Sequence, residues 1–149
     1  MEKKCCKVGI MHLIGIAAAL SLVEGMLILA GVITPLLEYS IGNIVFSLLL
    51  LGITAYAGVI GARESLLASL KNGALVGGAA ALVMVLVVLA SHYTVKTPVL
   101  GISAPDSITF YVLLLIIVVE NSLFCAVAGL VAGLAARALQ RQATKRKQK

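Results

Sequence analysis

Two carboxylic acids, Glu24 and Glu120, interrupt long apolar runs of this sequence, and each has short polar side chains as neighbours. Ser21 comes one helical turn before Glu24, and Asn121 and Ser122 directly follow Glu120. In the second apolar run Asn43, Ser47 and Thr54 are spaced by four and seven residues. That spacing keeps them on one helix face, which Gly61 continues. A carboxyl surrounded by hydroxyls and amides, with no basic residue at its depth, has the composition of a proton or cation site. Glu24, Glu120, Asn121, Asn43, Ser47 and Thr54 are therefore the ion- or proton-binding candidates. The same groups suit two other roles. They could act as interhelical hydrogen-bond glue, at about 0.6 kcal/mol per bond on average, or as contacts to a partner subunit.

Other chemistry finds no constellation. His12 and His92 fall at opposite ends of their apolar runs and cannot meet on one metal. Cys5 and Cys6 are adjacent, Cys125 lies deep in the last run, and no Cys-x-x-Cys occurs. Zinc asks for about four convergent ligands, and disulfide exchange for a positioned pair of thiols. No Gly-x-Ser-x-Gly, phosphate-binding loop or serine–base pair is present. The expectation is a protein that is not an enzyme and that takes no metal or cofactor. Cys5-Cys6 beside Lys4 and Lys7 has the setting of a fatty-acylation site, with inert thiols as the plainer reading.

The elements that must hold the two acids follow from composition. Of 149 residues 61% are hydrophobic and 12% charged, and the mean hydropathy is +1.11. Soluble domains carry about 25% charged residues. These values exclude an ordinary soluble enzyme, a disordered region and a disulfide-built module. Four apolar stretches, at about 8–33, 41–62, 66–91 and 108–136, each exceed the ~20 residues that cross ~30 Å of hydrocarbon. Only helices satisfy their backbone within a single segment in lipid, and runs such as Ala79-Ala80-Ala81-Leu82-Val83 do not alternate as barrel strands do. The predicted fold is an all-α, four-helix membrane bundle forming a single domain, with a basic tail over 137–149.

Orientation follows from charge. Of 12 basic residues only Lys96 falls in a connection on the far side, so both termini are expected to be cytoplasmic. Tyr39, Tyr93, Phe110 and Tyr111 cluster at the predicted outer boundary, where amphipathic rings settle. The formal charge of +6 reads as a topology signal or a contact with anionic headgroups, not as a nucleic-acid footprint. The 15-residue stretch Tyr93 to Ser107 is the longest predicted connection, with Asp106-Ser107 placed to cap the last helix. On these boundaries Glu24 and Glu120 lie roughly 14 and 18 Å below the outer surface at 1.5 Å per residue. A charged carboxyl at that depth costs about 2.5–3.5 kcal/mol on insertion scales. Protonation, or sharing of a proton or cation, is the expected response.

Gly73-x-x-x-Gly77 and Gly129-x-x-x-Gly133 are small-residue patterns that let membrane helices approach closely. They predict that the third and fourth helices cross, within the chain or between copies. The residues Ala57-Gly58, Gly61-Ala62-Arg63 and Asn72-Gly73-Ala74-Leu75-Val76-Gly77-Gly78 also carry a resemblance. The stretch from Leu51 to Leu89 resembles small four-helix membrane proteins of unassigned function of the archaeal and Gram-positive type. That resemblance implies the architecture and supplies no chemistry. The expected function is that of a non-catalytic accessory or structural subunit, partnered by the bilayer and by other membrane subunits or copies of itself. The alternative is a small homo-oligomeric transporter or channel using Glu24 and Glu120.

Overall fold

The computed structural model describes residues 2–36, 38, 40–94, 99 and 108–147, with side chains between residues 9 and 144. Tyr39, Lys96, the Asp106-Ser107 cap and the side chains of Cys5 and Cys6 lie outside the described residues. Four helices make up the rest: α1 (Glu2–Leu29), α2 (Ile41–Ala62), α3 (Leu66–Thr94) and α4 (Ile108–Lys147). All four are long and apolar enough to cross a membrane, and no strand occurs among the described residues. Their outward surfaces carry exposed leucine, isoleucine and valine along each span, as a lipid-facing surface does. The chain is a multi-pass, all-helical membrane protein.

Local chemistry sets where each helix stops. The first ends at Leu29, short of the expected Ile33, because Gly31 turns left-handed with φ of 71°. The Gly31 and Val32 amides then donate back to Ile28 O and Leu27 O at 3.0 Å each, a Schellman closure. Apolar Val32 and Ile33 extend the hydrophobic pattern beyond the helix itself. Ser40 opens α2 as its N-cap, accepting from the Asn43 amide at 3.2 Å. Ser65 does the same for α3, accepting from Ala68 N–H at 2.9 Å. The third helix runs on through Tyr93 and Thr94, whose hydroxyl donates to Ala90 O at 2.6 Å, so the connection after it starts later than expected. The fourth continues past Ala136 as helix to Lys147, so the basic segment is a rod rather than a loose tail where it is described.

The α2–α3 turn shares one end of the bundle with the start of α1 and the far part of α4. Gly9 approaches Ile60, and Arg137 Nε donates to Ala62 O at 2.8 Å, placing a guanidinium on the negative end of α2. At the other end Leu36 N–H reaches Val99 O at 3.0 Å. There Ile28, Val88, Val99, Phe110 and Leu114 form a closed apolar cluster. Helix α3 packs against all three others and α2 bridges α1 to α4, whereas the α1 and α4 backbones stand diagonally apart among the described residues, their side chains joining in that apolar cluster.

Three backbones meet in the half nearer the α2–α3 turn. A Cβ on Gly58 of α2 would fall 2.6 Å from Gly129 Cα of α4, and one on Gly129 would fall 2.8 Å from Ser69 O of α3. Gly73 and Gly77 bring α3 onto Cys125 and Asn121 of α4 in the same way, and Gly133 closes on Ser69 and Gly58. The expected α3–α4 crossing therefore forms within the chain, with α2 as a third participant. Close approach gains dispersion contacts that lipid cannot supply. Beside it Ala17, Ala57, Val76 and Ala80 form a second core of small residues.

Candidate functional site

A cavity of about 230 Å³ lies between the two cores. It exists because the backbones of the diagonal neighbours α1 and α4 stay apart, while Ala80 and Ala81 of α3 are too small to fill the gap. Its polar lining comes from three helices: Ser21 and Glu24 of α1, Ser47 of α2 and Asn121 of α4. Leu20, Leu36, Phe46, Leu50, Met84 and Ile117 complete the wall. Glu24 is half-buried, and no described residue gives it a hydrogen bond or an ion pair. Ser21 is 5% exposed, whereas Ser47 is exposed and marks the open rim. The Asn121 carbonyl oxygen accepts only a long contact from the Cys125 thiol, at 3.8 Å along the same helix.

The sequence candidates separate into distinct places. Glu120 does not join Glu24. It is exposed on the outward side of α4, in a shallow groove with Leu115, Ile116, Val119, Leu123, Phe124 and Val127. Neighbouring residues on a helix point about 100° apart, so Asn121 turns into the bundle as Glu120 turns out. Ser122 lies against Gly78 of α3.

Asn43 lies outside the cavity and has a structural task. Its amide donates to Glu38 O at 3.0 Å, Pro35 O at 3.2 Å and Thr34 O at 3.3 Å, holding the α1–α2 connection to the top of α2. Thr54 is fully buried, with its hydroxyl beside the Cys125 thiol. The face through Asn43, Ser47 and Thr54 spans roughly 16 Å along a helix, and of the three only Ser47 lines the cavity. Gly73, Gly77, Gly129 and Gly133 are packing residues at the three-helix junction.

Two roles had no signal in the residue pattern. Arg137 caps α2 across the bundle, a role indistinguishable in sequence from a topology charge. The Thr54–Cys125 pairing depends on helix rotation alone. Near the other end His92 stacks on Phe110 with centroids 4.7 Å apart, and the Tyr93 and Tyr111 hydroxyls meet. Among the described residues no three His, Cys, Asp or Glu side chains converge as a metal cluster. No protein family, curated protein or solved structure matches this chain.

Proposed function

We propose that this protein is a non-catalytic subunit of a larger membrane assembly, held to its partner through the outward face of α4. The observation that carries this reading is the position of Glu120, exposed among apolar side chains at the depth of the hydrocarbon. Intramembrane acids normally face a bundle interior or a water path, and Glu120 faces neither within one chain. Ile116, Glu120, Leu123, Val127, Val131 and Leu134 recur at spacings of four and three on that face. This is the interval of a seam between two helices. The occupant that suits it is a partner transmembrane helix offering one hydrogen-bond donor at the level of Glu120. The same proposal places the protein in the cell membrane with both termini cytoplasmic, on the strength of its basic residues.

The test is gentle solubilisation from the native membrane, native-gel sizing and mass spectrometry of co-migrating chains. A stoichiometric set of larger membrane proteins supports the reading, and a particle of this chain alone overturns it. Glu120→Gln keeps a hydrogen-bonding group of the same length and should leave the assembly nearly intact. Glu120→Leu should weaken it, by about 0.6–2 kcal/mol for one interhelical hydrogen bond in lipid.

A further inference from the structure

We propose that the cavity around Glu24 binds one monovalent metal cation, Na⁺ or K⁺. The polar side chains of its lining, Glu24, Ser21, Ser47 and Asn121, come from three helices and can each offer an oxygen. Hard cations take such ligands, and nitrogen- or sulfur-seeking metals do not. Charge selects the valence. Glu24 is the one titratable side chain lining the cavity, and the basic residues are confined to the ends of the bundle and the connections. A single positive ion leaves the site neutral, whereas a divalent ion would leave a net charge in a low-dielectric interior, which is strongly unfavourable.

Size agrees. A water molecule occupies about 30 Å³ of liquid, so a cavity of about 230 Å³ accommodates an ion that keeps part of its hydration shell. The ion is held without help from Glu120, which does not line the cavity. The site is separate from the α4 face and does not depend on the partner reading.

The test measures thermal unfolding of the purified full chain in detergent, at matched ionic strength of sodium, potassium or choline chloride. Sodium or potassium should raise the midpoint in a saturable way that choline does not reproduce, as ligand linkage requires. Glu24→Gln should abolish that response, and Glu120→Gln should retain it. Ser47→Ala sits at the exposed rim and tests the ligand set even where the Glu24 variant folds poorly. It should need roughly tenfold more salt for half the effect, the scale of one lost polar ligand. Equal responses to all three salts, or an alkali-specific rise that survives in Glu24→Gln, overturn the proposal. So does a midpoint that follows pH alone, which would make Glu24 a protonated carboxyl and nothing more.

Discussion

At the scale of single residues, the clearest division of labour is between Asn43 and its neighbours on α2. One amide group shares its two N–H hydrogens among three carbonyls of the α1–α2 connection, of which Pro35 O and Glu38 O also accept from Glu38 N–H and the Thr34 hydroxyl. Asn43→Ala is expected to lower stability by about 0.5–1.5 kcal/mol, the net range for ordinary intramolecular hydrogen bonds. Asn43→Asp should be no better, since it sets acceptor oxygens against carbonyls. Thermal unfolding in detergent checks both. That Glu24 and Glu120 fall within the first and last helices was legible from the apolar runs around them. Which way each points was not legible, because helix rotation depends on contacts between segments. Rotation is what sends Glu24 into the cavity and Glu120 out of the bundle.

At the scale of elements, the junction of α2, α3 and α4 is set by the absence of side chains. Gly129→Val would push a branched side chain onto Ser69 O and the Gly73 backbone, and neither can move without parting the helices. A loss of about 1–3 kcal/mol or more is expected from overpacking of this kind. Gly52 has nothing within 4 Å of an added Cβ, so Gly52→Ala should be neutral or mildly stabilising by helix propensity. Chemical or thermal unfolding of the two variants side by side distinguishes packing from propensity. Arg137→Ala removes a charged hydrogen bond to the end of α2 and should cost about 1.5–3 kcal/mol, where Arg137→Lys restores the charge and loses the guanidinium geometry. The number and approximate extent of the helices could be read from apolar length alone. The end of α1 could not be read that way, because Val32 and Ile33 continue the apolar pattern after Gly31 has already turned the chain.

At the scale of the whole molecule, the order of packing matters more than the number of helices. The α2–α3 turn, the start of α1 and the late part of α4 gather at one end, as an up-and-down bundle requires. The proposed topology puts that end in the cytoplasm on the strength of its basic residues. Single-cysteine variants at Val32 and Thr144, both exposed and at opposite ends, give a direct readout once the native cysteines are replaced. An impermeant maleimide should label Val32→Cys in intact cells and Thr144→Cys only after permeabilisation. Equal labelling of both without permeabilisation would contradict the topology.

The diagonal placement of α1 and α4 reaches back into synthesis. Helix α1 leaves the ribosome first, yet Asn121, across the cavity from Glu24, is made about 100 residues later. At about 5–20 residues per second, Glu24 waits on the order of 5–20 s before its polar surroundings are complete. During that interval an acidic side chain sits in an incomplete bundle, joined first by α2 and then by α3, with one side against lipid or the insertion machinery. It must stay uncharged or be sheltered there until α3 and α4 arrive. Biogenesis, rather than the finished bundle, is where Glu24 is most vulnerable.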